Sequence, residues 1–160
     1  MKLNTLLVAT LLGFAAVLPA VAADETPWGR AKLEQIEYQP QKVVYDVAAS
    51  NLAEFSRVLD RASFLKNIYQ AHPFDTSIVL VLHGGEIPFF AIENYPQHKE
   101  LMIRAQSLGL DGIIKYRVCR AAARGHGFEP EDIHGFVEFV PMADAEIVRL
   151  QQEEAHAYMR

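Results

Sequence analysis

The chain has 160 residues, of which 51% are apolar, and it carries 15 Lys and Arg against 20 Asp and Glu, a formal net charge of −5 at pH 7. An acidic chain without a Lys/Arg block or an aromatic ladder is not built to hold phosphate backbones, which excludes nucleic acid as an expected partner. The length and the apolar fraction fit one globular domain rather than a disordered chain.

The first 23 residues, MKLNTLLVATLLGFAAVLPAVAA, have the three-part plan of a secretory signal peptide. Lys2 lies near the amino end, residues 6–18 are apolar and uncharged, and small residues lead to a cleavage position after Ala22 or Ala23. A membrane anchor is the alternative, but the apolar run is shorter than the roughly 20 residues that span a bilayer. We therefore expect a periplasmic mature chain that has no membrane association once residues 1–23 are removed.

Removal of the signal peptide takes away one Lys and no acid, which leaves 14 basic and 20 acidic residues and a net charge of −6. Residues 24–41 mix Pro, Gly and charges without a sustained period, which predicts an extended lead-in. Residues 42–160 have regular strand and helix patterns and are interpreted as one α/β domain.

The domain begins with a short β-branched run at residues 42–48, which predicts a strand. Asn51, a favourable N-cap, is followed three residues later by Glu54, a pattern typical of a capping box. Apolar residues at three- and four-residue spacing then predict one amphipathic helix over residues 51–70. The consecutive apolar residues of SIVLVLHGG, 77–85, are typical of a strand covered on both faces.

The second half continues the alternation of strands and helices. Two prolines in residues 87–97 indicate a short helical turn and a loop, and Pro130 indicates a single turn that begins at that residue. The remaining expected elements are a helix at 98–108, a strand at 112–119, a helix from Arg120, a strand at 135–141, a helix at 143–154 and a short fifth strand in the tail.

Four repeats of strand and helix require right-handed crossovers and a mostly parallel sheet between two helical layers. The predicted fold class is therefore α/β, a three-layer α/β/α sandwich with a mostly parallel sheet of four to five strands. In such sheets all strands end at one edge, and ligands bind in the crevice outside that edge.

Cys119, the only cysteine of the chain, closes the predicted third strand at this edge. The amide groups of the helix that begins beside it, together with Arg120 and Arg124, favour the thiolate form, which is the nucleophile. An unpaired cysteine in an oxidising compartment implies intermolecular pairing, burial or a reactive thiol. We interpret Cys119 as the reactive group and Arg120 and Arg124 as its anion-stabilising, substrate-binding partners.

His83, Gly84 and Gly85 close the second strand. If the second and third strands are neighbours, the imidazole of His83 and the thiol of Cys119 share one rim of the domain. His83 is then a candidate for proton transfer, and Gly84 and Gly85 are candidates for substrate contacts. The alternative for His83 is a structural histidine, and the alternative for Cys119 is a buried small hydrophobe chosen for its volume.

Other chemistries fit less well. The sequence has no C-x-x-C, no haem-attachment motif, no G-x-G-x-x-G after a strand and no Walker loop, so no cofactor is predicted. A copper site with Cys119, Met142 or Met159 as soft ligands is an alternative, but metal-ligand spacings are missing and no metal is predicted. The six histidines without such spacing are His72, His83, His98, His126, His134 and His156.

The segment VCRAAARG after a strand, followed in order by GFEPEDIHGFVEFVPMADAEIVRLQQ, resembles the DsrE/DsrF-like family, which includes the TusD-type subunits of sulfur relays. The resemblance covers about residues 41–160. It implies a three-layer α/β/α fold around a parallel sheet of about five strands, and assembly as a homo-oligomer, a trimer or a hexamer. In sulfur-relay members a cysteine at this place carries persulfide sulfur, a role that would fall to Cys119.

The resemblance has departures, since the well-studied relay proteins are cytoplasmic and some family members lack the cysteine. The leading hypothesis is a periplasmic sulfur carrier or sulfurtransferase that takes sulfane sulfur from a donor and passes it to an acceptor, each a small molecule or a protein thiol. The alternative is a non-enzymatic, oligomeric module of the same fold that binds a small ligand or a partner and has a structural cysteine. A third hypothesis is an assembly protein in which Cys119 fills the core.

Overall fold

The computed structural model describes residues 28–160, so the expected signal peptide lies outside the described residues. The chain divides into one unit up to Gln35 and a second from Ile36 to Arg160. Residues 28–41 contain neither helix nor strand, and the first strand begins at Lys42. Within the described part of the chain, no helix has the length and apolar character needed to cross a membrane.

Strands and helices alternate through the second unit in the expected order. The strands are β1 (Lys42–Val47), β2 (Ser77–Leu82), β3 (Ile114–Cys119), β4 (Glu138–Val140) and β5 (Ala157–Met159). The helices are α1 (Leu52–Ile68), α2 (Tyr95–Gly109), α3 (Arg120–Gly125) and α4 (Ala143–Glu153), with single 3₁₀ turns at Ile87–Phe90, Ile92–Asn94 and Pro130–Asp132.

The five strands form one sheet in the order β4-β3-β2-β1-β5, and every neighbouring pair is parallel. Helices cover both faces, so the predicted α/β fold with a parallel sheet is confirmed, and the sheet has five strands. Val47 pairs with Leu82, and Leu82 pairs with Val118, so the carboxyl ends of β1, β2 and β3 meet at one edge.

The start of α1 follows the predicted capping pattern with one difference. Asn51 Oδ1 accepts the backbone N–H of Glu54 at 3.0 Å, as expected for an N-cap. The Glu54 carboxylate reaches back to the N–H of Ser50 at 2.7 Å, one residue earlier than in the usual box. Both bonds satisfy amide groups of the β1–α1 loop and hold that loop at the carboxyl edge of the sheet.

Three element boundaries differ from the sequence-based expectation by three residues. Helix α2 begins at Tyr95, with Pro96 in its first turn, and its backbone is non-helical at His98 (φ −119°, ψ 18°), so the part after this kink is the helix expected at 98–108. Strand β2 stops at Leu82, three residues early, since the following glycines turn away. Strand β4 starts at Glu138 because the N–H of Val137 bonds back to the carbonyl of His134 in a turn.

The sheet separates two apolar cores. The larger core lies between the sheet and helices α1 and α2, and every second residue of β1, β2 and β3 faces it. The smaller core lies under α4, on the opposite face. Its members are Val44, Val79, Val81, Cys119, Ala143, Ile147 and Leu150. Because side chains alternate along a strand, Val118 faces the larger core and Cys119 faces the smaller one.

Candidate functional site

Cys119 lies at a topological switch point of the sheet. It pairs with Val140 at the carboxyl ends of β3 and β4. After β3 the chain turns toward the larger core, where Ala123 is buried, and after β4 it turns toward the smaller core, where Ala143 is buried. Such a divergence at the carboxyl edge is the place where open α/β sheets bind ligands.

The thiol is buried, as in the alternative interpretation of Cys119 as a small hydrophobe. The exposed fraction of Cys119 is 4%, and the side chain packs among aliphatic residues of the smaller core. The physical reason is the alternation of side chains on β3, which turns position 119 toward the face that α4 covers.

The helix amide beside the sulfur belongs to α4 rather than to α3. The backbone N–H of Ala143, the first residue of α4, donates to Cys119 Sγ at 3.3 Å. Cys119 is also the N-cap residue of α3, but its side chain makes no capping hydrogen bond there. A helix N-terminus was therefore predicted at the thiol, but the one that contacts it belongs to α4 rather than to α3.

Arg120 and Arg124 are engaged elsewhere. Both are about half exposed and both form ion pairs with Glu129, at 3.4 Å and 2.8 Å respectively. The hydrogen bond from Arg124 is the main cause that holds the pKa of Glu129 below its usual value. The charge of both arginines is therefore partly neutralised by Glu129, in the loop after α3. The spacing of residues 120 and 124 in the sequence did not indicate this partner.

His83 lies at the predicted rim, since β2 and β3 are neighbours and residues 83 and 119 each follow the paired residues Leu82 and Val118. Its side chain, however, turns toward β1, where Nε2 lies 2.5 Å from Asp46 Oδ1. Tyr158 donates its hydroxyl to the other Asp46 oxygen at 2.5 Å. His83 thus forms a dyad with Asp46 of β1 rather than with Cys119 of β3.

Asp46 stays ionised in this arrangement. Partial burial acts to raise the pKa of Asp46, but hydrogen bonds from Tyr158 and His83 outweigh it and hold the pKa below its usual value. The same bond raises the pKa of the Tyr158 hydroxyl. The sequence reading missed Asp46 because nothing in its own strand distinguishes it from a solvated side chain.

Gly84 and Gly85 lie where two loops of the carboxyl edge pack against each other. A Cβ at Gly84 would lie 2.6 Å from the Cα of Ala48, and one at Gly85 would lie 3.0 Å from the carbonyl oxygen of Ala49. The glycines therefore allow the β2 loop to touch the β1–α1 loop, a packing role that accounts for both of them without a ligand.

Glu86 joins the same two loops and was not singled out from the sequence. Its side chain is fully buried, and its two oxygens accept the N–H groups of Ala49 at 2.7 Å and Gly84 at 2.9 Å. Burial raises the pKa of Glu86, although these amide donors act in the opposite direction. A buried carboxylate that bonds two backbone amides fixes the shape of the edge between β1 and β2.

Arg117 and the charged face of α4 form a separate network on the sheet face that α4 covers. Arg117 pairs with Glu146 of α4 and with Glu138 of β4, the latter at 3.1 Å. Glu146 also pairs with Arg149 at 2.8 Å. Among residues 28–160, no group of three or more His, Cys, Asp and Glu side chains is arranged to hold a metal ion.

Comparison with known proteins identifies the fold alone. No protein-family model matches the chain, and no curated protein matches it. Among solved structures, the chain is similar to MTH1491 from Methanobacterium thermoautotrophicum, which is described as a protein of unknown function. The two share 21% sequence identity with a TM-score of 0.53, over 75% of this chain and 98% of that one.

Proposed function

We propose that the protein is a periplasmic sulfur carrier of the DsrE/DsrF-like family that holds sulfane sulfur as a persulfide on Cys119. The observation that carries the proposal is the 3.3 Å hydrogen bond from the first amide of α4 to Sγ, at the switch point of the sheet. An N–H group at the positive end of a helix stabilises an anionic sulfur. This amide takes the role that the sequence assigned to Arg120 and Arg124.

The transfer step is an exchange between a thiolate and a persulfide. The Cys119 thiolate attacks the outer sulfur of a donor persulfide or polysulfide, so that a new S–S bond forms at Sγ and the S–S bond of the donor breaks. The electron pair of the broken bond leaves with the donor thiolate, and no oxidant or reductant is consumed. Attack by an acceptor thiol on the outer sulfur reverses the step and frees Cys119.

Because Cys119 is buried, a sulfur donor needs access to Sγ before this exchange can occur. Pro141 and Met142 are exposed and connect Val140, the register partner of Cys119, to the amide donor Ala143. A donor reaches the sulfur when this two-residue connection moves aside, which requires no change in the strands. In the proposal the oligomer is a homotrimer or homohexamer, and His83, whose Nε2 pairs with Asp46 of β1, takes no part in the transfer at Cys119.

The second candidate function is a non-enzymatic module that binds a small ligand or a partner and in which Cys119 is structural. It is favoured by one observation, the 4% exposure of Cys119 within an aliphatic cluster. A free cysteine in such surroundings behaves as a small hydrophobe. Binding would then use other residues of the carboxyl edge and would not depend on the thiol.

Intact-mass measurement after incubation with polysulfide separates the two candidates. The sulfur-carrier proposal expects the wild type to gain the mass of one or more sulfur atoms, the gain to disappear on treatment with a thiol reductant, and Cys119→Ser to gain none. A Met142→Gly variant loosens the connection beside the thiol and should gain sulfur faster than the wild type. If the native wild type gains no mass while the unfolded protein does, the thiol is structural and the second candidate stands.

A further inference from the structure

The arginines of the domain fall into two groups. Between Ile36 and Arg160 there are eight arginines. Five of them form ion pairs with carboxylates, namely Arg104, Arg117, Arg120, Arg124 and Arg149. The other three, Arg57, Arg61 and Arg160, form no ion pair within 4 Å of an Asp or Glu side chain among the described residues, and all three line one cleft.

The cleft lies at the carboxyl end of β1. Strand β5 pairs with residues 43–45 of β1 and ends there, so Asp46 and Val47 have an open edge on that side. The first turns of α1 run along this opening and supply Arg57 and Arg61, while Arg160 follows β5. The volume is about 370 Å³, which suits a small molecule.

The carboxylates of the cleft are already satisfied by internal donors. Asp46 accepts hydrogen bonds from Tyr158 and His83. Glu54 accepts the N–H of Ser50. Asp46 and Glu54 also interact electrostatically with Arg160 and Arg57 respectively, so three guanidinium groups share the cleft with two side-chain carboxylates in a protein that is acidic overall.

Arg61 is held in place by contacts within the chain. Both of its terminal nitrogens, Nη1 and Nη2, lie 3.1 Å from the main-chain oxygen of Arg160. Its guanidinium also stacks on the ring of Tyr45, with 5.2 Å between Cζ and the ring centroid. Arg57 lies four residues earlier on α1, on the same face of the helix, so the two guanidinium groups flank the same opening.

We propose that this cleft binds a small oxyanion or carboxylate between Arg57 and Arg61, with the His83–Asp46 dyad as its floor. Planar guanidinium groups match carboxylate, phosphate and sulfate oxygens in pairs of parallel hydrogen bonds. Asp46 accepts the Nε2–H of His83, which fixes the orientation of the imidazole in the cleft. Arg160 adds charge at the mouth of the cleft.

The proposed anion site is separate from the sulfur site. The cleft lies at the end of β1 and Cys119 at the end of β3, two strand spacings apart, or about 10 Å. No residue of the smaller apolar core lines the cleft. Anion binding therefore does not rest on the chemistry of Cys119, and Cys119→Ser should bind the anion as tightly as the wild type.

An NMR titration of the purified protein with sodium phosphate at low ionic strength tests the proposal. We expect saturable shifts of the backbone amides of residues 46–49, 57–61 and 83, and a dissociation constant at least about tenfold higher in Arg57→Gln, because one charge-assisted hydrogen-bonding group is lost. Arg124→Gln is the matched control, since it removes the same charge from another exposed helical arginine. Its dissociation constant should equal that of the wild type.

Sulfate and acetate titrations of the same samples define the ligand chemistry. Tighter binding of phosphate and sulfate assigns a tetrahedral oxyanion, and tighter binding of acetate assigns a carboxylate. The proposal is overturned if none of the three anions gives saturable shifts in the wild type, or if Arg57→Gln and Arg124→Gln weaken binding equally. Neither result bears on whether Cys119 accepts sulfur.

Discussion

Two regions of the same sheet edge have opposite environments. At the end of β3 the sulfur of Cys119 is buried under the start of α4 among aliphatic side chains, and its polar contact is one backbone amide. At the end of β1 the side chains of Asp46 and His83 are about a quarter exposed and face a cleft with three arginines. Both regions follow from the same parallel sheet, so the edge itself does not decide whether a site is open.

The difference lies in what covers each strand end. Residues 141–143 lead directly from β4 into α4 and close over Cys119. Strand β5, in contrast, ends two residues before β1 does, and nothing pairs with the last residues of β1 on that side in the part of the chain that the structure describes. Connection length, rather than strand position, therefore separates the protected thiol from the accessible charged cleft.

The largest effect on stability is expected at Gly84, which lies between the two regions. Gly84→Ala should lower the free energy of unfolding by about 3 kcal/mol, because the new Cβ would overlap the backbone of Ala48 and the carboxylate of Glu86. Urea denaturation measures the change. Gly125→Ala is the control, since a Cβ there meets nothing within 4 Å and should have little effect. Equal losses in the two variants would show that the loops do not pack as described.

Cys119→Ser should have an intermediate effect. The serine hydroxyl would lie among aliphatic side chains, which lowers the free energy of unfolding by about 1–2 kcal/mol. Ala121→Ser, two residues away on the exposed side of α3, adds the same hydroxyl in contact with water and should change stability by less than about 0.5 kcal/mol. A Cys119→Ser variant as stable as the wild type would mean that the thiol region is hydrated like the cleft.

The smallest effect is expected at the cleft, from Tyr158→Phe. The loss of its hydroxyl should raise the pKa of Asp46 toward the ordinary value, which NMR titration of the carboxyl carbon measures. A lowered folded-state pKa contributes stability above the ordinary Asp pKa, and this stability is lost as the pH falls through the folded value. The variant should therefore lose less stability than the wild type on acidification. Tyr69→Phe, which lies outside this cluster, should leave the pKa of Asp46 unchanged.

Much of the fold could be predicted from local pattern. Apolar spacing located α1 and α4 to within two residues at each end, because amphipathic periodicity reflects burial of one helix face. The N-cap at Asn51 was also predicted, since capping involves residues three apart. Strand β4 was expected from residue 135 but begins at Glu138. Phe136 is apolar like a strand residue, but it lies in a turn, from which it packs on Phe90 and Tyr116.

The site was harder to predict because its contacts are long-range. Glu86 and Ala49 are 37 residues apart, as are His83 and Asp46, and Ala143 lies 24 residues from Cys119. Each of these pairs is brought together by the order of strands, which residue spacing does not contain. That Arg57 and Arg61 form no ion pair with an Asp or Glu side chain is likewise visible only once the partners of the other arginines are known.

The alternation of strands and helices could be predicted from the chain alone, and with it a parallel sheet whose carboxyl edge contains both Cys119 and His83, because helix and strand periods are properties of neighbouring residues. The three-dimensional packing was needed to show that α4 covers the thiol, that His83 turns to Asp46 and that three arginines without an Asp or Glu ion pair line one cleft at the end of β1. Those outcomes depend on which strands are adjacent and where each one ends, which is decided by the packing of the whole sheet.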